Sequence, residues 1–203
     1  MDVYEKSLEI LKRIVNNQKR FGYKIYLVGG WAVWIYNPYM KSKDIDFIVE
    51  NKDLWKLENF LISINFRKTA KILEKKGFSM VLDNDKIELD VYDKKIGRYD
   101  VGRFIRNSVV KRFDNISVNV VSVSDMFLLK AYTAIERMGT AKGEKDLVDL
   151  LALIDKHYKD IELPQDIDLR KILSIILGDF KQVSLLYPIE YKKFKIIKKH
   201  FNL

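Results

Sequence analysis

Two aspartates separated by one residue, Asp44 and Asp46, are the strongest candidates for chemistry in this chain of 203 residues. They begin the stretch Asp-Ile-Asp-Phe-Ile-Val, whose alternation of acidic and apolar residues predicts a strand. In a strand both carboxylates point to one face, where like charges repel each other unless a cation lies between them. Oxygen ligands on a rigid strand suit Mg²⁺, which binds one or two carboxylates together with substrate phosphates. The pair therefore predicts a magnesium site that also handles phosphate.

An anion site is predicted just upstream, at Gly29 and Gly30. An apolar run over residues 25–28 predicts a buried strand, and residues 31–36 predict a short helix that stops before Pro38. We expect the two glycines to form a tight turn that lets a ligand approach the backbone, with the N–H groups of the helix facing an anion. Each feature alone is an ordinary turn or strand face, but their order and context indicate a site.

A third carboxylate is expected on a strand over residues 86–92. Period-two alternation places Glu88 and Asp90 on one face and Asp93 on the other. Asp90 is the preferred candidate because it lies between two apolar neighbours. Glu88 has equally apolar neighbours on the same face and stays an alternative.

The elements that position these residues follow from hydrophobic periodicity. The pattern predicts helices over residues 4–20, 54–61 and 68–76, the last ended by Gly77, strands over 78–82 and 116–121, a turn at 83–85, and a strand or loop over 99–110.

The rest of the chain is predicted to be helical. Ser124 is expected to cap a helix over residues 125–138 that ends at Gly139, followed by helices over 145–157, 169–177 and 189–201 and by connections at 163–166 and 186–188. We predict two domains, one over residues 1–122 that carries the candidate site and a helical one over residues 123–203.

Composition narrows the chemistry. With no cysteine and two isolated histidines, the chain excludes disulfides, thiolate metal sites and a cysteine nucleophile, and it disfavours a histidine zinc site. No apolar run approaches the length of a membrane span, and the first residues lack the pattern of a secretion signal. We expect a cytoplasmic protein, soluble and without a membrane partner, whose metal is held by oxygen.

The order of these features resembles the signature of the DNA polymerase β-like nucleotidyltransferase superfamily, in Val28-Gly29-Gly30, a helix, and then Asp44-Ile45-Asp46-Phe47. The Gly-Gly-Trp-Ala segment is similar to the aminoglycoside and lincosamide nucleotidyltransferases. Ser42-Lys43-Asp44-Ile45-Asp46-Phe47 resembles the abortive-infection toxin branch. Gly30 stands where many relatives have serine, and Met40 stands where the toxin branch often has arginine.

The resemblance implies an α+β nucleotidyltransferase fold, with a mixed, twisted β-sheet flanked by helices and a C-terminal helical bundle. Residues 1–122 would then be the catalytic domain. It also implies an enzyme in which two Mg²⁺ ions are held by Asp44, Asp46 and Asp90. A nucleoside triphosphate, expected to be ATP, would contact Gly29, Gly30 and Ser42 through its phosphates.

The rear half adds Lys130, Arg137 and the segment Lys145-Asp146-Leu147-Val148-Asp149. This order is similar to the helical region of the toxin branch, where the resemblance implies that the first lysine reaches the triphosphate and the later segment braces the pocket. The ordinary alternatives are an exposed lysine at position 130 and an i,i+4 pair of Lys145 with Asp149.

The acceptor is not specified by any motif. The net charge of +9 suits a polyanion such as RNA, a nucleotide or an acidic protein surface better than a cationic antibiotic. Membership of the toxin branch would add an antitoxin-like protein partner. The competing hypothesis is a non-catalytic module with the same fold that binds nucleic acid or a protein.

Overall fold

The computed structural model describes residues 2–69, 77–82, 86–162 and 167–203. Within it the chain separates into two compact units, Met1–Ser122 and Val123–Leu203. The expected turn at residues 83–85, the connection at 163–166 and most of the expected helix at 68–76 lie outside the described residues.

The first unit alternates strands and helices. Its described elements are α1 (Val3–Phe21), β1 (Ile25–Val28), α2 (Gly29–Tyr36), β2 (Ile45–Val49), α3 (Leu54–Ser63), β3 (Phe66–Lys68), β4 (Phe78–Leu82), β5 (Ile87–Tyr92), β6 (Lys95–Ile96), β7 (Tyr99–Asp100), α4 (Val101–Arg106), β8 (Val109–Phe113) and β9 (Ile116–Val120).

Seven of these strands form one mixed sheet in the order β3-β4-β5-β2-β1-β9-β8. The strand β2 lies at its centre, antiparallel to β1 and parallel to β5. Every residue of β1 is buried, and so are the apolar residues of β2. The α+β fold expected from the sequence, a mixed sheet with helices around it, is confirmed, and the candidate acids lie at its middle.

Helix α1 packs its apolar stripe inward, as its spacing predicts, and the buried residues of that stripe are Leu8, Leu11, Ile14 and Val15. It contacts β9 and α3, and Phe21 packs against Phe60 of α3 with ring centroids 4.8 Å apart. The indole N–H of the fully buried Trp31 donates to Ser7 Oγ at 2.9 Å, which ties α2 to α1. Helix α2, which begins with the two glycines, is therefore anchored at its first turn.

Three local predictions for the first unit were wrong. The two glycines do not form a separate turn, because α2 begins at Gly29. Residues 99–110 contain helix α4, whose start is capped by the Asp100 carboxylate accepting from the Gly102 N–H at 2.7 Å. Lys68 ends β3 instead of starting a helix.

The second unit is helical over its described residues, with α5 (Val123–Glu136), α6 (Ala141–His157), α7 (Ile167–Ile176), α8 (Phe180–Leu186) and α9 (Tyr191–His200). Helix α8 has no counterpart among the helices predicted from the sequence. Ser124 does not cap α5, which begins one residue earlier. Its hydroxyl instead donates to the Asp160 carbonyl at 3.2 Å and accepts from the Glu162 N–H at 2.9 Å.

None of the helices in the described ranges has both the length and the apolar composition that crossing a membrane requires.

Candidate active site

Three acidic residues on β2 and β5 share one face of the sheet, and a fourth lies just before β2. The parallel register sets Asp46 beside Asp90 and Ile45 beside Leu89. In β5 the buried residues alternate with half-buried ones, so Glu88 and Asp90 point away from the core as predicted. Asp44 lies immediately before β2, and its Oδ1 accepts from the Glu88 N–H at 3.4 Å. We call Asp44, Asp46, Glu88 and Asp90 the acidic face.

The carboxylate of Asp46 lies against the first residue of α2. Val28 pairs with Asp46 across the antiparallel β1–β2 ladder, and the chain then enters α2 at Gly29 with a φ of +73°. A Cβ atom at Gly29 would lie 2.2 Å from Asp46 Oδ2. Only glycine allows both this left-handed backbone and this close approach, because any side chain would displace the carboxylate.

The position of Asp90 favours it over Glu88 as the third acid. Asp90 lies next to Asp46 in the register, and Asp46 is the acid that touches Gly29. Glu88 instead lies beside Asp44, at the beginning of β2. The pair nearest the start of α2 is therefore Asp46 with Asp90.

Two hydroxyl groups lie beside these carboxylates, and sequence reasoning missed both. Ser79 pairs with Asp90 across the β4–β5 ladder, and its buried hydroxyl donates to Asp90 Oδ1 at 2.5 Å. The Tyr92 hydroxyl lies 3.5 Å from Asp46 Oδ1. The alternation of β5 places Tyr92 on the same face as Asp90, so the sequence could have indicated the Tyr92 hydroxyl. The contact of Ser79 with Asp90 depends on the register between β4 and β5. Hydroxyl donors orient a carboxylate without cancelling its charge.

The donor set of the acidic face fits Mg²⁺ held jointly with phosphates. Within the described residues, no three histidine or acidic side chains converge closely enough to hold a metal ion by themselves. The expected site of three carboxylates is thus not preformed there. Mg²⁺ is commonly bound by one or two carboxylates, with substrate phosphates and water completing its shell. Asp46 and Asp90, as adjacent oxygen donors, match that requirement.

The residues expected to contact the triphosphate have different surroundings. Gly30 lies buried in the first turn of α2. Ser42 is also buried, in the loop before β2, so its hydroxyl would need that loop to open before touching a ligand. The neighbouring Lys41 pairs with Glu5 of α1, while Met40 is exposed.

The lysine expected to reach the triphosphate is paired inside the second unit. Lys130 Nζ of α5 lies 2.7 Å from Asp146 Oδ1 and 2.7 Å from Asp149 Oδ2, both on α6. Arg137 Nη1 lies 3.0 Å from Asp146 Oδ2. Burial alone would lower the pKa of Lys130, but Asp149 and Asp146 outweigh it and raise that pKa above its usual value. We call Lys130, Arg137, Asp146 and Asp149 the lysine-centred cluster.

Asp149 has a lysine partner on the neighbouring helix. Asp149 lies on α6 and pairs with Lys130 of α5. Gly143 lets the two helices approach, since a Cβ there would lie 2.0 Å from the Arg137 carbonyl oxygen. The charged groups of the cluster therefore join α5 to α6.

Solved structures share this fold. An antigenic nucleotidyltransferase-like protein from Paracoccidioides brasiliensis aligns with a TM-score of 0.60 at 15% identity, over 88% of this chain and 90% of that one. The antibiotic-resistance factor ANT(2'')-Ia, in complex with adenylyl-2''-tobramycin, aligns with a TM-score of 0.61 at 12% identity, over 85% of this chain and 98% of that one. The lincosamide antibiotic adenylyltransferase LnuA, bound to lincomycin, gives 0.53 at 14% identity, over 70% and 93%. Comparison with curated proteins gave no match.

The sequence itself identifies the family. The profile described as "Nucleotidyl transferase AbiEii toxin, Type IV TA system" matches residues 9–193. That match includes the acidic face, the two glycines before it and the lysine-centred cluster. The chain therefore belongs to the AbiEii family of nucleotidyltransferase toxins from type IV toxin–antitoxin systems.

Proposed function

We propose that this chain transfers a nucleoside monophosphate from a nucleoside triphosphate, expected to be ATP, to a hydroxyl group of an acceptor and releases pyrophosphate. The observation that carries the proposal is the strand register that sets Asp46 beside Asp90 and against Gly29. Family membership supports nucleotidyl transfer as the class of reaction.

The acidic face would hold the metal and receive the proton. Asp44, Asp46 and Asp90 are the proposed ligands for two Mg²⁺ ions. Bound there, Mg²⁺ supplies charge neutralisation for the triphosphate and lowers the pKa of the acceptor hydroxyl. The acceptor oxygen bonds to the α-phosphorus as the bond to the pyrophosphate oxygen breaks, and Asp90 takes the hydroxyl proton. Ser79 holds Asp90 in place for that step.

The start of α2 would bind the phosphates. Its first N–H groups lack partners within the helix and carry the positive end of the helix dipole, which favours an anion. Gly29 is only half-buried and adds no side chain at that end, and Gly30 and Ser42, both buried, are the proposed further contacts. We assign Lys130 to bracing α5 against α6 rather than to the triphosphate, because two carboxylates surround its ammonium group.

The acceptor class and the partner follow from charge and family. The net charge of +9 supports a polyanionic acceptor, of which RNA is the proposed example. Membership of a type IV toxin–antitoxin family supports an antitoxin as the partner that limits the activity.

Calorimetric titration with each of the four common ribonucleoside triphosphates, with and without Mg²⁺, tests the proposal without knowledge of the acceptor. We expect one triphosphate to bind in a Mg²⁺-dependent manner and Asp46→Asn to lose that binding. Asp114→Asn is the matched control, since Asp114 forms a surface pair with Lys12 on the same unit. Folded protein that binds no triphosphate would instead support the non-catalytic module.

The third acid is tested in the same way. Asp90→Asn should remove transfer while retaining binding of the triphosphate through Asp46, whereas Glu88→Gln should change transfer by less than about threefold. The opposite result would make Glu88 the third acid.

A further inference from the structure

The second unit contains an open cleft of about 650 Å³ between the segment that begins α8 and one face of α9. This volume lies in the range of ligand-binding sites. Its lining combines three aromatic residues with three lysines, namely Phe180, Tyr191, Phe194, Lys195, Lys198 and Lys199. We call it the basic cleft.

The aromatic side chains form a packed floor with one exposed ring. The ring centroid of Phe180 lies 4.9 Å from that of Tyr191 and 5.3 Å from that of Phe194. Phe194 is buried, whereas Tyr191 is 53% exposed. Phe180, which itself packs on the buried Phe194, therefore supports the ring of Tyr191, and the exposed part of that ring can contact a ligand.

The lysines give the basic cleft a positive charge. Within the described residues no carboxylate pairs with the three cleft lysines, although the adjacent Lys193 binds Asp155 at 2.5 Å. The lining also contains Asp179, whose Oδ1 accepts from the Lys181 N–H at 2.9 Å and so caps α8. The side chains of the lining thus supply three cations and one carboxylate, which already accepts a hydrogen bond.

A tyrosine and two lysines share one face of α9. Tyr191, Lys195 and Lys198 are spaced by four and three residues, so they lie on one face of the helix. Lys195 Nζ lies 4.5 Å from the ring centroid of Tyr191. At 1.5 Å of rise per residue, the stretch from Tyr191 to Lys199 spans about 12 Å.

We propose that the basic cleft binds single-stranded RNA, with the lysines contacting phosphates and Tyr191 stacking on a base. Proteins that hold single strands combine a positive groove with exposed aromatic rings in this way. An acidic protein surface would use the lysines but would gain little from the face of Tyr191. This binding does not rest on the proposed transfer reaction.

Fluorescence anisotropy of the full chain with a labelled single-stranded oligouridylate tests the proposal. We expect affinity to fall steeply as salt rises from about 50 to 200 mM. Lys195→Gln combined with Lys198→Gln should weaken binding at least about tenfold and reduce the slope of log affinity against log salt by about 1.4. The control combines Lys192→Gln with Lys171→Gln, two exposed positions outside the lining, and should change affinity by less than about twofold.

Substitutions of Tyr191 distinguish RNA from other polyanions as the ligand of the basic cleft. Tyr191→Ala should weaken RNA binding at least about fivefold, while Tyr191→Phe should retain it, because the ring supplies the stacking. Equal losses in the cleft and control lysine variants would overturn the cleft as the site. Polyglutamate that binds as tightly as RNA, together with no effect of Tyr191→Ala, would overturn RNA in favour of an acidic polypeptide.

The test is independent of the active site. The oligouridylate is titrated without triphosphate and without Mg²⁺, so no transfer takes place during the measurement. If the cleft variants have no effect while the triphosphate still binds with Mg²⁺, the RNA proposal fails and the transferase proposal stands.

Discussion

Pairs of aspartates lie close together in two regions of the molecule, and their partners differ. In the lysine-centred cluster, Asp146 and Asp149 meet cations that the chain itself supplies. On the acidic face, Asp46 and Asp90 meet the hydroxyl groups of Tyr92 and Ser79.

The difference indicates two purposes for the same residue type. A carboxylate that is buried with a lysine joins structural elements, and removing either partner leaves an uncompensated charge. A carboxylate that is held by a hydroxyl keeps its charge and its orientation. We therefore expect substitutions in the cluster to lower stability and substitutions on the acidic face to lower activity.

Asp46→Asn should give the largest effect on activity. Metal-assisted charge stabilisation is worth several kcal/mol, so we expect transfer to fall roughly a thousandfold. The midpoint of thermal unfolding should not fall, because removing one of two adjacent like charges relieves repulsion. A label-transfer assay and differential scanning calorimetry measure the two quantities. A variant that unfolds well below the unmodified chain would make Asp46 a structural residue and remove the contrast.

Lys130→Met should give the largest effect on stability. Breaking a buried ion pair costs about 3–5 kcal/mol, which lowers the melting temperature of a chain this size by roughly 10 °C. Because the pKa of Lys130 is raised in the folded state, its contribution is complete below the usual lysine pKa and is lost only as the pH rises above it.

The matched controls sharpen this prediction. Replacing Asp146 and Asp149 with asparagine in the Lys130→Met variant should restore part of the stability, since no uncompensated carboxylate remains. Arg137→Ala should have a smaller effect, because the side chain of Arg137 is half exposed. If Lys130→Met melts normally but loses triphosphate binding below its melting temperature, Lys130 is a nucleotide ligand and not a brace.

Gly29→Ala tests how closely Asp46 must approach α2. The added Cβ would lie 2.2 Å from Asp46 Oδ2, and a displacement of about 1 Å in a catalytic group can lower activity roughly a hundredfold. The control is Gly97→Ala, which also requires a positive φ of +55° but has no heavy atom near the new Cβ. Both variants should lose about 1–2 kcal/mol of stability, and only Gly29→Ala should lose activity. Equal activity in the two variants would contradict the role of Gly29.

The acidic face was predictable because its signal is local. The alternation around Asp46 in β2 and the alternation from Ile87 to Tyr92 in β5 each specify a face within a single strand, although Asp44, expected in the same strand as Asp46, lies just before it. The two glycines also identified the start of α2, although their place inside the helix was not expected.

The partners of these acids were not predictable because they come from elsewhere in the fold. Ser79 reaches Asp90 only through the register of β4 with β5, and Lys130 reaches Asp149 only through the packing of α5 on α6. Helix α4 escaped prediction for a different reason. It has only six residues and depends on the Asp100 cap, so it is too short for a helical period to be visible in the sequence.

Ser79→Ala and Tyr92→Phe should give the smallest effects, and their difference tests the assignment of hydroxyls to carboxylates. Ser79 donates to Asp90 at 2.5 Å, whereas the Tyr92 hydroxyl lies 3.5 Å from Asp46, at the limit of a hydrogen bond. A hydrogen bond to a charged group is worth about 1.5–3 kcal/mol, so Ser79→Ala should lower transfer at least roughly tenfold. Tyr92→Phe should change it by less than about twofold. Transfer rates at saturating triphosphate measure both, and the reverse order would mean that Asp46, rather than Asp90, depends on its hydroxyl partner for orientation.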